Sequence, residues 1–212
     1  MNLAAAASGF GLGLALITPI GAQNAYVLRT AVRAPRPAVV TVVAMVVTID
    51  VGLIALGAAG AGAILDGRDW LRVILYAGGI ALLAPLGFRT LRDGIRGGDD
   101  YAAALEGDAE TTPRAVVGPV LALSLLNPHV YLDTVAILGS AIATNEPEDR
   151  ASFTAGAMFA STVWFIGLAA LGAVALRRYG APVARIVDLV AGTVMLIVAA
   201  VFAVEALKII TG

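Results

Sequence analysis

The sequence predicts an all-α, polytopic membrane protein: six transmembrane helices in a 3+3 inverted repeat, with helices 1 and 4 broken. Three observations carry this expectation. The composition is strongly apolar, the segments on either side of one long polar connection echo each other, and two proline-centred interruptions fall at corresponding places.

Of 212 residues, 59% are hydrophobic and only 14% charged, against roughly 25% charged in an ordinary soluble domain. The charges are also clumped. Val39–Ile49, Val73–Leu86 and Leu189–Val204 contain at most one ionisable side chain each. Several such runs in one short chain read as membrane-spanning helices, because a helix satisfies its own backbone groups in hydrocarbon. With no cysteine and a single histidine, disulfide frameworks, thiolate metal sites and multi-histidine centres are excluded, and no metal or other cofactor is expected. A net charge of −1 and the absence of a basic tract give no footprint for nucleic acid. Met1-Asn2-Leu3 lacks the basic start of a signal peptide, so the first apolar segment is expected to stay as a helix.

The six helices are expected over about Leu3–Leu28, Ala38–Leu65, Trp70–Leu91, Ala115–Ala143, Ser152–Leu176 and Val183–Ile210. Pro35 and Pro37 punctuate the first connection, and Pro182 sits just inside the start of helix 6, where a missing N–H costs little. The chain then divides into a first three-helix half (1–91), an acidic linker (92–114) and a second half (115–212).

The halves correspond in three places. Asp50-Val51-Gly52-Leu53-Ile54-Ala55-Leu56-Gly57-Ala58 aligns with Phe165-Ile166-Gly167-Leu168-Ala169-Ala170-Leu171-Gly172-Ala173. Arg72 with Gly79 matches Arg185 with Gly192, and Pro19 with Asn24 matches Pro128 with Asp133, each at the same spacing. Because each half has three helices, the second half must enter the membrane in the opposite sense. With both termini extracytoplasmic, the inner side would hold Arg29, Arg33, Arg36, Arg89, Arg92, Arg96, Arg114, Arg177, Arg178 and Arg185. The outer side would keep Arg68, Arg72, Arg150 and Lys208, which is the arrangement the positive-inside rule favours.

Two polar segments interrupt the apolar pattern: Thr18-Pro19-Ile20-Gly21-Ala22-Gln23-Asn24-Ala25-Tyr26 and Leu126-Asn127-Pro128-His129-Val130-Tyr131-Leu132-Asp133. Proline removes a donor and frees carbonyls, which hydrocarbon tolerates only where protein or a watery cavity covers them. Paired breaks of this kind are a pointer to a transporter's binding site. The alternative is a pair of plain kinks stabilised by helix packing. Asp50 and Asp133 are the sharper signal, since an aspartate at the membrane centre costs roughly 2.5–3.5 kcal/mol. No intramembrane arginine or lysine is evident as a partner, so these carboxyls are either protonated or face a cavity that a cation can enter. His129 follows the break directly, where it either relays protons with the two aspartates or simply lines the site. Asp188 is expected at an interfacial helix N-terminus, Trp70 as an interfacial anchor, and Trp164 as packing or a cavity wall.

At these residues the chain resembles the lysine exporter (LysE) family, which includes arginine exporters. The first-helix pattern is matched by Pro19-Ile20-Gly21-Ala22-Gln23-Asn24, the second-helix aspartate by Asp50, and the fourth-helix motif by Leu126-Asn127-Pro128-His129-Val130-Tyr131-Leu132-Asp133. Here Pro and Gly are transposed relative to the family's usual Gly-Pro-Gln-Asn. The resemblance implies a multi-pass protein of the cytoplasmic (inner) membrane that exports L-lysine or L-arginine by an energy-coupled route. In that reading Asp50 and Asp133 pair with the cationic substrate and carry protons for antiport. Gln23, Asn24, Asn127 and Tyr131 orient the substrate's amino-acid backbone, while Pro19, Gly21 and Pro128 form the breaks. Export of a neutral amino acid or another small solute, an intramembrane aspartyl enzyme and a passive channel stay open at this level. A 3+3 repeat encloses a site within one chain or across a homodimer, and composition does not choose.

Overall fold

A computed structural model describes residues 2–19, 21–60, 69–96 and 111–211, and every element among them is helical. The first expected span is two helices, α1 (Leu3–Ile17) and α2 (Ala22–Arg33). Asn2 caps α1, its side-chain oxygen accepting from the amides of Ala4 and Ala5. Pro19 and Gly21 separate the two, which lie at 84° to each other. The polar second piece runs on to Arg33 rather than ending near Leu28.

After Pro35, α3 (Arg36–Ala58) opens with Pro37 in its first turn. The expected end of this span, near Leu65, lies outside the described residues. Helix α4 (Asp69–Arg96) passes the expected stop at Leu91 and carries Pro85 and Gly94 within it. Thr112 caps α5 (Pro113–Leu125), so the connection between halves is shorter at both ends than expected, and its acidic middle lies outside the described residues. Leu126 and Asn127 interrupt the fourth span, and α6 (residues 128–144) follows. Within α6, Tyr131–Ile137 is wound as a π-helix, with the Leu138 amide donating to the Asp133 carbonyl five residues back. Two long helices complete the chain, α7 (Arg150–Tyr179) and α8 (Ala181–Thr211). They join at Gly180, whose φ of 64° favours glycine.

Among the described residues, four helices are long and apolar enough to cross a membrane, or five if α1 and α2 form one bent span. Only 28–33% of the most apolar stretch of each long span is buried inside the fold. Large side chains such as Phe88, Phe159, Ile166, Leu171, Ile186 and Ile197 point outward, as expected for a surface whose solvent is lipid rather than water.

Helices from the beginning and the end of the chain pack on each other. Helix α1 lies on α7, whereas α5 and α6 lie on α3; α4 and α8 form the most extensive pair, and α2 rests on α7 and α8. Small residues set the closest approaches. At Gly139 a Cβ would come 2.7 Å from the Gly57 carbonyl oxygen, and at Gly192 one would come 2.5 Å from the Leu91 backbone nitrogen.

Candidate functional site

The two helix breaks face a common cavity of about 270 Å³, near the lower end of the roughly 300–1,000 Å³ usual for small-molecule sites. Pro19, Gly21, Gln23 and Asn24 line it from the first break, and Asn127, Asp133 and Thr134 from the second. Asp50 enters from α3, and Phe165 and Phe202 close it from α7 and α8. Asp50 and Asp133 therefore share one cavity, with Leu16, Ile17, Val130 and Val198 as further apolar wall.

Asp50 is buried, and its partners come from other helices. Ser161 on α7 donates its hydroxyl to Asp50 Oδ2 at 2.9 Å, and Gln23 on α2 is a second side-chain partner. Ser124 on α5 lies at 3.5 Å from Gln23 Oε1, extending this chain of polar groups to a fourth helix. Asp133 sits in the π-wound turn of α6, beside Thr134. Such a turn widens the helix by one residue, re-aims a side chain and is frequent at functional sites.

Asn24 holds the first break together. Its amide nitrogen donates to the carbonyls of Ile17 (2.8 Å) and Pro19 (2.9 Å), both released by the interruption. Its oxygen accepts the Trp164 indole N–H at 3.1 Å. Trp164 is thus a hydrogen-bonding buttress as well as packing. At the second break the Tyr131 hydroxyl donates to the Leu125 carbonyl at 2.8 Å. Neither Tyr131 nor Pro128 is among the cavity-lining residues. His129 belongs to the short Pro128–Val130 turn, but its side chain lies outside the described residues. Among the described residues no group of three or more potential metal ligands converges.

Ser161, Thr134 and Trp164 did not stand out as polar site residues in the sequence. A hydroxyl in an apolar helix ordinarily bonds its own i−4 carbonyl, as Thr162 does to Met158 and Thr48 to Ala44. Only the fold shows that Ser161 reaches another helix instead.

A second polar cluster surrounds Asp188, which is fully buried against other helices rather than left as a lone helix N-terminal charge, within hydrogen-bond distance of Arg33 and 3.2 Å from Arg29 Nε. Arg29 also lies 3.8 Å from Asp93 on α4. The physical reason is that α2 runs far enough past the break to bring two arginines against the second turn of α8.

Comparison with known proteins adds an independent result. The family model described as LysE type translocator matches residues 14–206. Arginine exporter protein ArgO of Salmonella newport (strain SL254) and that of Escherichia coli (strain K12) are each 35% identical to the chain over 195 residues, covering 90% of it and 89% of the relative. No solved structure matches.

Proposed function

Because this chain belongs to the LysE type translocator family, we propose that it is a secondary active exporter of basic amino acids, L-arginine or L-lysine, from the cytoplasm. A multi-pass helical membrane protein of this family is a transporter, not an enzyme. The observation that carries the finer reading is the cavity in which Asp50 and Asp133 meet both helix breaks. Relatives named arginine exporters at 35% identity over nearly the whole length support the substrate class.

In this reading the guanidinium or ammonium of the substrate pairs with Asp50 and Asp133. The aliphatic stem lies along Phe165, Phe202 and Val198, matching a side chain whose body is apolar and whose tip is charged. Gln23 and Asn127 orient the amino-acid end, while Asn24 and Tyr131 keep the breaks in shape. The exchanged packing of α1 on α7 and of α5 and α6 on α3 supports a 3+3 inverted repeat of six spans. In such a repeat α1–α2 and α5–α6 are the two broken spans, and the halves rock about the central site. Both termini are then extracytoplasmic and the arginine-rich end is cytoplasmic, in the inner membrane.

Moving one positive charge outward against an inside-negative potential costs roughly 2.3 kcal/mol per 100 mV. Inward transfer of a proton on the vacated carboxylates cancels that charge, so one shared site serves antiport. Counterflow in proteoliposomes tests this: liposomes preloaded with arginine, lysine or leucine are supplied with labelled arginine. Selective exchange with the basic pair, lost in Asp133→Asn, is expected. Exchange with leucine instead, or full exchange in the folded Asp133→Asn protein, would remove the charge-pairing mechanism.

A further inference from the structure

We propose that the buried cluster of Arg29, Arg33, Asp93 and Asp188 is the closed gate at the arginine-rich end of the transporter, and that it must part before substrate reaches the cavity from that side. The inference rests on the transport reading above for its purpose, though not for its geometry.

The cluster ties three elements: α2 through Arg29 and Arg33, α4 through Asp93, and α8 through Asp188. Arg185 adds a further tie from α8 to α4, donating to the Gly94 carbonyl at 2.8 Å. Helix α2 is the link between this cluster and the cavity. It begins with Ala22, Gln23 and Asn24 in the cavity wall and ends with Arg33 in the cluster, about 14 Å further along at 1.5 Å per residue. Between them the helix is packed shut: Tyr26, Val27 and Thr30 are buried, and Val32 is buried with Ala184 beside the cluster. A substrate coming from the arginine-rich end therefore meets a sealed helix contact.

The opposite end is built differently. Continuing the spacing of the break motif, Arg29 and Arg33 correspond to Leu138 and Ile142, and the spacing of the third helices makes Leu75 the mate of Asp188. The ionic cluster thus has only apolar residues at these related positions. The packing follows the same asymmetry, for α2 rests on α8, whereas α6 meets α4 chiefly at its first turn, Pro128–Val130. Leu138 and Ile142 are themselves buried against α1, α3 and α7, so the asymmetry lies in the third helices. A two-sided transporter whose charged α2–α8 contact is extensive while the related α6–α4 contact is confined to one turn is held closed at the charged end. Three ionic contacts centred on the buried Arg33 and Asp188 suit a two-state latch, since parting the helices returns both of these desolvated charges to water at once.

The chain has no cysteine, so Thr30→Cys places a single thiol on the buried path between gate and cavity. Its labelling by a membrane-impermeant maleimide is followed in vesicles with the arginine-rich end outward. In the Asp93→Asn and Asp188→Asn backgrounds labelling is expected to quicken by about tenfold or more. The charge swap Arg33→Asp with Asp188→Arg is expected to slow it again. Asp93, at the cluster's edge and partly exposed, supplies a variant that tolerates the change if Asp188→Asn does not fold. Unchanged labelling in a monodisperse Asp93→Asn or Asp188→Asn protein would overturn the gate, as would a swap that labels as fast as Asp188→Asn. Counterflow run on the Thr30→Cys protein separates the two readings. Arginine exchange without any change in labelling sinks the gate alone, while quickened labelling without arginine exchange sinks the substrate assignment alone.

Discussion

Trp164 on α7 donates its indole N–H to the side-chain oxygen of Asn24 on α2 at 3.1 Å. Asn24 spends its own two N–H groups on the Ile17 and Pro19 carbonyls. Two carbonyls of the helix break are thereby satisfied by one amide, and that amide is oriented by one tryptophan from α7.

Unequal costs at the two residues are the consequence. Asn24→Ala strips donors from two carbonyls and an acceptor from the indole, whereas Trp164→Phe removes one donor and keeps a ring of similar bulk. At about 0.6–2 kcal/mol per hydrogen bond in a membrane fold, Asn24→Ala is expected to lower the thermal midpoint in detergent well below that of Trp164→Phe. Size-exclusion thermostability profiles check this. Equal midpoints would mean that the breaks are held by packing instead.

Asp50 and Ser161 should separate charge from positioning. Asparagine at position 50 keeps a hydrogen-bonding partner for Ser161 but loses the charge, so Asp50→Asn is expected to fold while losing arginine exchange by about thirtyfold or more. Ser161→Ala keeps the charge and loses one hydrogen bond to it, for an expected loss of about threefold to tenfold. Counterflow rates in proteoliposomes measure both. A Ser161→Ala defect as deep as that of Asp50→Asn would show that the hydroxyl does more than hold the carboxylate.

Tyr131→Phe removes the hydroxyl that covers the Leu125 carbonyl. Its expected cost is about 0.5–1.5 kcal/mol of stability, with little change in the concentration dependence of arginine exchange. A marked loss of apparent affinity, with stability unchanged, would instead return Tyr131 to the substrate.

Two glycines give a paired control for packing. At Gly192 an added Cβ meets the Leu91 backbone, which cannot swing aside, so Gly192→Ala is expected to destabilise by about 1–3 kcal/mol. At Gly52 nothing lies within 4 Å of an added Cβ, and Gly52→Ala is expected to be neutral or to gain about 0.5–1 kcal/mol of helix stability. Thermal midpoints in one detergent compare them directly.

Features that live in one dimension were legible in the sequence. Asp50 and Asp133 stood out because a carboxylate in an apolar run is conspicuous wherever its partner sits. Pro19 and Pro128 stood out because proline stops a helix locally. The structure places all four of these signals at or beside one cavity. The gate cluster was not legible, since Arg33 and Asp188 stand 155 residues apart and each, taken alone, looks like a solvated charge near a helix end. Ser161 was hidden for a related reason: a helical hydroxyl has a default partner in its own chain, and only the approach of α3 offers it a better one.

The π-wound turn at Tyr131–Ile137 has a counterpart in the length of the chain. Such a turn accommodates one residue more than an α-helix between the same fixed ends. Shortening this stretch by a single residue would yield a more regular helix. With the flanking turns held where they are, the change in direction would fall on the side chains inside the stretch, Asp133 among them. With α3 gripping the later part of α6 through Gly57 and Gly139, Asp133 would turn out of the cavity and into a helix contact or lipid. The added residue is thus an insertion whose value lies in azimuth, for it lets the same helix keep its glycine seam on α3 and present a carboxylate to the cavity.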